Sequence, residues 1–154
     1  MLKVLPIQSK EEQERVCRLC GVEYKADLLA YGAESDGELA GVCQFKLTGE
    51  GGIIYDIAAA KDFGGNIFEA LFVMGRGTLN FIDLCGIHRA FFDGTTDDEG
   101  LIRAIGFTKN DAGRFEVNLE GFFTDPCKHH PMPKNRKTAE LNSAVFVLSI
   151  VFKF

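Results

Sequence analysis

Residues 37–58, GELAGVCQFKLTGEGGIIYDIA, decide the fold of this chain. Two mainly apolar runs, Glu38–Leu47 and Gly52–Ala59, lie on either side of the turn sequence TGEG at 48–51. Apolar runs that are joined by a short glycine-containing turn are typical of a β-hairpin. A second turn, SDG at 35–37, joins this hairpin to an earlier apolar run. We therefore predict three strands in an antiparallel meander.

Further strands and helices are predicted on both sides of the meander. Leu28–Ala33 is its first strand, and the short apolar run Leu2–Ile7 is typical of another. Ser9 is followed three residues later by Glu12, a capping box that predicts a helix ending near Cys20. Downstream, the pattern predicts the long helix Ile67–Leu84, the strand His88–Asp93, a helix that Thr96 caps and Gly106 ends, and a hairpin of Phe107–Lys109 with Arg114–Leu119.

The order of predicted elements indicates the fold class. It reads β-α-β-β-β-α-β-α-β-β. Hairpins make antiparallel neighbours, whereas connections through helices make parallel ones. We therefore predict an α/β fold of the α+β kind, with a mixed, mostly antiparallel twisted sheet and helices on both faces.

Charge is unevenly distributed along the chain. The 154 residues, enough for one domain, carry a net charge of −5. Residues 127–154 hold five Lys or Arg against one acid, so they carry +4 and the first 126 residues carry −9. Phosphate binding needs clustered Lys and Arg, so we expect no nucleic-acid partner. We predict one domain, 1–126, and a basic, Pro-containing tail, 127–154, that ends in an apolar segment.

Cysteine usage and hydropathy indicate a cytoplasmic protein. The chain opens MLKVLPIQSKEEQ, which lacks the long apolar run of a secretory signal. The five cysteines are an odd number, which favours free thiols in a reducing compartment. The most apolar helix, Ile67–Leu84, contains Glu69, Arg76 and Asp83, whereas a membrane span needs about 20 residues with few or no charges. We therefore expect no membrane partner.

Three segments carry a resemblance to a known family. Gly37–Phe45, GELAGVCQF, resembles the GE-x-x-G third strand of the GNAT-superfamily N-acetyltransferases. Ile53–Ala58, IIYDIA, resembles their fourth strand, and Leu101–Phe107, LIRAIGF, resembles their LYEKLGF segment. The resemblance covers about residues 1–120. It implies the acyl-CoA N-acyltransferase fold, with acetyl-CoA as the co-substrate.

The resemblance also implies where acetyl-CoA binds. The implied residues are Ile57, Ala58 and Ala59, whose backbone receives the thioester, and Lys61, Gly64, Gly65 and Asn66, which correspond to the pyrophosphate loop. This loop is degenerate, because Asn66 and Phe68 stand where the family has small residues. Ile102 occupies the place of the tyrosine that commonly protonates the leaving thiolate in the family.

Acetyl transfer to an amine needs a base that removes a proton from the ammonium group. Asp56 is the main candidate, because it interrupts an apolar strand where the family has its cleft. The alternative is that strand alternation turns Asp56 toward solvent. Asp93 is either a second contributor from the next strand or a turn residue before Gly94. Tyr55 and Tyr31 are the candidates to replace the missing acid.

A metal site is the less favoured interpretation. Cys17 and Cys20 lie one turn apart on a predicted helix, but a structural zinc needs four ligands. Cys127, His129 and His130 would complete such a site only if the tail folded back onto the helix. We therefore predict no metal.

The resemblance, taken with these residues, implies an acyl-CoA-dependent N-acetyltransferase. Its acceptor is a small amine or a peptide amine, and the transfer is direct. The rival hypothesis is a catalytically inactive member of the fold that binds another molecule or forms a homodimer. The degenerate loop and the absent tyrosine favour this rival.

Overall fold

The structure, a computed structural model, describes residues 1–123. The predicted tail and the domain boundary at residue 126 lie outside this range. The described elements, in chain order, are β1 (Leu2–Pro6), α1 (Lys10–Cys20), β2 (Leu29–Ser35), β3 (Glu38–Leu47), β4 (Gly52–Ala59), α2 (Ile67–Leu84), β5 (Arg89–Phe92), α3 (Glu99–Ile105), β6 (Thr108–Lys109) and β7 (Phe115–Asn118). This order is the predicted one.

The seven described strands form one sheet in the order β1-β2-β3-β4-β5-β7-β6. Neighbouring strands are antiparallel except β4 and β5, which are parallel because α2 connects them. The turn between β2 and β3 has positive φ angles at Asp36 (51°) and Gly37 (85°), as a two-residue hairpin turn requires. The predicted mixed, mostly antiparallel sheet is confirmed.

Helices cover both faces of the sheet. Val16 and Cys17 of α1 pack with Val42 in a small core on one face. Helices α2 and α3 pack over the larger core on the other face, which includes Cys43 and Phe45. The neighbours Val42 and Cys43 belong to different cores because successive strand residues point to opposite faces. Within residues 1–123, no helix has both the length and the apolar character of a membrane span.

Side-chain caps determine where two of the helices begin. The Oδ1 atom of Asn66 accepts a hydrogen bond from the amide of Glu69 at 3.0 Å, at the start of α2. In α3 the cap is Asp98, which accepts from the amide of Leu101 at 3.0 Å. The prediction that Thr96 caps α3 is wrong. Its hydroxyl accepts from the amide of Asp98 at 3.0 Å and so shapes the turn before the helix.

Two glycines in the sheet allow α2 to approach closely. A Cβ atom on Gly41 would lie 2.6 Å from the carbonyl oxygen of Ala58 and 3.1 Å from Cδ2 of Leu71. A Cβ atom on Gly52 would lie 2.6 Å from Cδ1 of Ile82. The two distances of 2.6 Å are too short for a real Cβ atom, so α2 and β4 keep their positions only with glycine at residues 41 and 52.

We expect Gly41→Ala to lower the free energy of unfolding by about 1–3 kcal/mol, because the added methyl group must displace the β4 backbone. Denaturant unfolding measures this change. Gly49→Ala is the matched control, since a Cβ atom there meets nothing within 4 Å. We expect the control to change stability by less than about 0.5 kcal/mol. Equal losses in the two variants would contradict the close-packing explanation.

Candidate active site

The central strands β4 and β5 separate partway along β4. Their parallel pairing covers Gly52–Ile54, and the last contact is the amide of Asp93 donating to the carbonyl of Ile54 at 2.9 Å. Strand β4 continues to Ala59 without a β5 partner. Residues 55–59 are all half-buried, whereas the three before them are buried. This fork leaves one backbone edge of β4 available to a ligand.

A β-bulge in β4 lies at the fork. The register with β3 shifts between the pairs Phe45–Ile54 and Gln44–Asp56, so Tyr55 is the extra residue on β4. Gly94 lies against this bulge, because a Cβ atom on Gly94 would overlap the carbonyl oxygen of Tyr55. The chain after β5 therefore stays close to β4 as far as Tyr55, and the opening begins beyond it.

Asp56 is the first residue beyond the bulge, and its carboxylate is held by two donors. Its Oδ2 atom accepts from Nζ of Lys25 at 3.0 Å and from Nε2 of Gln44 at 2.8 Å. The Asp56 side chain is 18% exposed, and that of Lys25 is 36% exposed. The alternative of a fully solvated carboxylate therefore does not describe Asp56. The carboxylate can accept a proton from an ammonium group, and in this structure an ammonium group is already beside it.

Gln44 connects Asp56 to helix α1 and to the loop between α1 and β2. Besides bonding Asp56, its Nε2 atom donates to the carbonyl of Glu23 at 2.8 Å. Its Oε1 atom accepts from the amide of Lys25 at 3.2 Å and from Nε2 of Gln13 at 3.0 Å. Both glutamines are buried, and every polar atom of the Gln44 amide has a partner. This network positions the loop that carries Lys25.

Asp93 belongs to a separate ion pair. Nε and Nη2 of Arg114 each donate to one of its carboxylate oxygens at 2.8 Å, and Nη1 donates to Glu50 at 2.5 Å. These carboxylates raise the pKa of Arg114 above its usual range. The guanidinium also lies 3.8 Å from the ring centroid of Phe91. The structure therefore places Asp93 near the fork but does not join it to the Asp56 network.

The loop before α2 has its amide donors partly in use. The amide of Gly64 donates to Oε1 of Glu38 at 3.2 Å, so a carboxylate lies where the resemblance implies a phosphate. Asn66 caps the helix with its own side chain. A Cβ atom on Gly65 would lie 2.5 Å from the ring of Phe63, which covers that glycine. The amides at this helix start still suit an anion, provided that Glu38 moves away.

Lys61 points away from this loop. Its amide donates to the carbonyl of Leu19 at 3.1 Å. A Cβ atom on Gly21 would lie 2.9 Å from Cε of Lys61, so the side chain extends along the C-terminal end of α1. The helix dipole favours a cation there. The exposed ammonium group must rotate before it can contact a phosphate in the loop.

The two candidate tyrosines have different surroundings. Tyr31 is 2% exposed and stacks on Phe45 in the large core, with 5.8 Å between ring centroids. Burial raises its pKa well above the usual range, so it is a poor proton donor. Tyr55 is half-buried at the bulge, next to Asp56. Ile102 is fully buried in the core, and its aliphatic side chain offers no proton donor.

The buried cysteines offer no ligand set for a metal. Burial and the charge of Asp56 raise the pKa of Cys17 to about 11, and burial raises that of Cys20 to about 12. Both thiols therefore stay protonated near neutral pH in the metal-free chain. Among residues 1–123, no group of three or more His, Cys, Asp or Glu could hold an ion. Cys127, His129 and His130 lie outside the described residues.

Neither of two surface cavities lies in the fork. One of about 750 Å³ lies at the start of β5, lined by residues such as Arg89 and Asn118, and it includes no residue of β4. Another of about 360 Å³ is lined by Asp93, Gly94 and Arg114. We assign the candidate site to the fork itself, because Asp56 and the unpaired backbone edge are there.

Three residues of this site were not predicted as site residues. They are Lys25, Gln44 and Gln13. One signal in the sequence was available, because Gln44 interrupts the apolar run of β3 as Asp56 interrupts that of β4. The turn at 48–51 places these two polar residues opposite each other. Nothing in the local sequence indicated that Lys25 would reach Asp56.

Comparisons with solved structures identify the fold. Mutant forms of the spermidine/spermine N-acetyltransferase SpeG from Vibrio cholerae match with a TM-score of 0.61 and 10% identity, over 80% of this chain and 98% of that one. The ribosomal-protein-S18-alanine N-acetyltransferase from Escherichia coli matches with a TM-score of 0.57 and 9% identity, over 77% and 94%. PaiA N-acetyltransferase from Thermoplasma acidophilum, in complex with coenzyme A, matches with a TM-score of 0.55 and 13% identity. The match covers 77% of this chain and 99% of that one.

These likenesses confirm the acyl-CoA N-acyltransferase fold that the sequence predicted. No protein-family model and no curated protein matches the sequence. At the identities found, the likeness is one of fold.

We expect Gln44→Leu to lower the free energy of unfolding by about 2–4 kcal/mol, because it leaves several buried polar groups without partners. Denaturant unfolding with an unchanged m-value checks this. Thr78→Val is the control on the opposite face of the sheet. The Thr78 hydroxyl is fully buried, 3.0 Å from the carbonyl of Met74 and 3.4 Å from Sγ of Cys43, so its loss removes the contacts of a single hydroxyl outside the Gln44 network. A loss as large for Thr78→Val as for Gln44→Leu would contradict the network explanation.

Proposed function

We propose that this chain, whose fold is that of the GNAT N-acetyltransferases, transfers the acetyl group of acetyl-CoA directly to an amine. One observation carries the proposal: β4 and β5 part at Tyr55, and the carboxylate of Asp56 lies at that point beside an ammonium group. The fork supplies a backbone edge for one substrate, and the carboxylate is a base for the other.

Acetyl-CoA would bind along the open edge of β4. The backbone groups of Ile57, Ala58 and Ala59 have no β5 partner and would hold the acyl and adjoining part of the co-substrate. The amides of Gly64 and Gly65 and the start of α2 would receive its pyrophosphate. Support comes from relatives by fold, because PaiA is in complex with coenzyme A and YhhK from E. coli is bound to it.

Asp56 is the proposed base. It would accept a proton from the ammonium form of the acceptor, which frees the nitrogen lone pair to attack the acetyl carbonyl. Backbone amides at the β4 edge would donate to the oxygen that becomes negative. Tyr55 is the proposed donor to the leaving thiolate, because Tyr31 is buried in the core. Asp93 would act indirectly, since its ion pair with Arg114 holds the chain segment beside the fork.

The proposed acceptor is a cationic small amine or a peptide amine. The first 126 residues carry −9, and a negative field raises the local concentration of cations. SpeG is named for spermidine and spermine, and the E. coli relative for an alanine of a ribosomal protein. Spermidine and a short peptide with an N-terminal alanine are therefore the two probes to use first.

We expect acetyl-CoA to bind the wild-type chain and Asp56→Asn to retain this binding. The same variant should lower turnover by about 100-fold or more, because a general base contributes 10²–10⁴-fold. Isothermal titration measures binding, and release of free CoA thiol with each probe measures turnover. Asp111→Asn is the control, as it removes the same charge at an exposed turn, and residue 111 is not part of the hydrogen-bond network of Asp56.

Two outcomes would contradict the proposal. The first is the absence of both heat and a thermal shift with acetyl-CoA at millimolar concentration. The second is turnover by Asp56→Asn equal to that of the wild type, which would remove Asp56 from the mechanism while leaving the fold unaffected.

We expect Glu38→Gln to tighten the binding of CoA by about 1.4–5-fold, which corresponds to an exposed charge pair worth about 0.2–1 kcal/mol. The Glu38 carboxylate accepts a hydrogen bond from the backbone amide of Gly64 and repels a phosphate at the same place. The neutral glutamine side chain of the variant does not repel it. Isothermal titration with CoA checks the ratio. Glu11→Gln, which removes the same charge from the exposed start of α1, should leave the affinity unchanged. Equal effects would indicate that net charge alone matters.

A further inference from the structure

Lys25 presents a primary amine to the candidate base. Its Nζ atom lies 3.0 Å from Oδ2 of Asp56, which is the contact that an acceptor ammonium would need to make. The Lys25 side chain is 36% exposed, so it is reachable from solvent although it is paired. The amine of Lys25 therefore occupies the position beside Asp56 that an acceptor amine would take.

The backbone of Lys25 is anchored, which makes this contact a built feature of the loop. Its amide donates to Oε1 of Gln44 at 3.2 Å. Its carbonyl accepts from the amide of Leu28 at 3.2 Å and from Nε2 of Gln13 at 3.4 Å. Only the side chain is left to move, and it extends from this fixed point to Asp56. A pre-positioned amine reacts faster than one that must be brought from solution.

We infer that Lys25 is a site of self-acetylation, a modification in which this chain is its own acceptor. The inference rests on the proposed function, because acetyl-CoA supplies the acetyl group. Asp56 takes one proton from the Lys25 ammonium group, and the freed nitrogen forms a bond to the acetyl carbonyl carbon. The bond from this carbon to sulfur breaks, and CoA leaves as a thiolate. The second proton of the nitrogen passes to the thiolate, which gives free CoA and a neutral amide at Lys25.

Acetylation of Lys25 would change the site. The resulting amide carries no charge and can no longer form an ion pair with Asp56. The carboxylate would then keep its bond from Gln44 and have no ammonium group beside it. An external amine would therefore meet a vacant base in the acetylated chain and a competing lysine in the unmodified chain.

Lys109 is a matched internal control for chemical acetylation. Its Nζ atom lies 3.0 Å from Oε1 of Glu99, the same nitrogen-to-oxygen distance as for Lys25 and Asp56. The Lys109 side chain is 43% exposed, slightly more than that of Lys25. Uncatalysed acetylation by acetyl-CoA should therefore modify Lys109 at least as fast. A preference for Lys25 must come from the fork.

The experiment incubates the full chain with isotopically labelled acetyl-CoA and follows each lysine by peptide mass spectrometry. We expect the label at Lys25 to appear at least about tenfold faster than at Lys109, a margin that general-base catalysis easily supplies. The fraction of Lys25 that is acetylated per unit time should be independent of protein concentration, as a reaction within one chain requires. A heat-denatured sample should lose the preference.

Two variants sharpen the test. Asp56→Asn should lower the rate at Lys25 by about 100-fold and leave the rate at Lys109 unchanged. Lys25→Arg keeps a cation beside Asp56 but has no nucleophilic nitrogen at neutral pH, so its acceptor-free release of CoA should fall to background. If either variant fails to fold, the ratio of Lys25 to Lys109 in the wild type still decides the question.

The outcomes separate this inference from the proposed function. Binding of acetyl-CoA without a preference for Lys25 over Lys109 would overturn self-acetylation and leave the transferase proposal standing. A fraction acetylated per unit time that rises with protein concentration would overturn the reaction within one chain. Absence of acetyl-CoA binding by isothermal titration would overturn both.

Discussion

The candidate site depends on the point at which β4 and β5 separate. Parallel pairing holds the two strands together through Ile54. Gly94 still lies close to β4, because a Cβ atom on it would overlap the carbonyl oxygen of Tyr55. Beyond that point the strands can diverge, since the bulge at Tyr55 increases the local twist of β4. The unpaired edge and the position of Asp56 both follow from this separation.

A carboxylate at the fork imposes a further constraint. Asp56 is only 18% exposed, and a charge so poorly solvated needs hydrogen-bond donors nearby. Gln44 supplies one donor and Lys25 the other, and Gln13 holds Gln44 from helix α1. The network therefore couples the position of the base to the packing of α1 and to the conformation of the loop between α1 and β2. A change in any one of them alters the place that an acceptor would occupy.

The two ends of the proposed acetyl-CoA path differ in electrostatics. At the fork, an ammonium group is balanced by Asp56. At the start of α2, the amide of Gly64 is balanced by Glu38, and the Lys61 side chain lies along α1. Anion binding at a helix start is favourable in principle, but here a carboxylate competes for it. The charge of Glu38 has the same sign as the net charge of the first 126 residues, which is −9.

The sequence by itself determined the order of elements and the meander, because turns, caps and apolar periodicity act between residues close in the chain. It also made Asp56 the main candidate for the base, which stays a prediction. It placed the α3 cap at Thr96 rather than Asp98, since both residue types cap helices well. The tertiary structure decided that Lys25 reaches Asp56 over 31 residues and that Glu38 reaches Gly64 over 26. Such contacts depend on strand register and loop path, which no local pattern encodes.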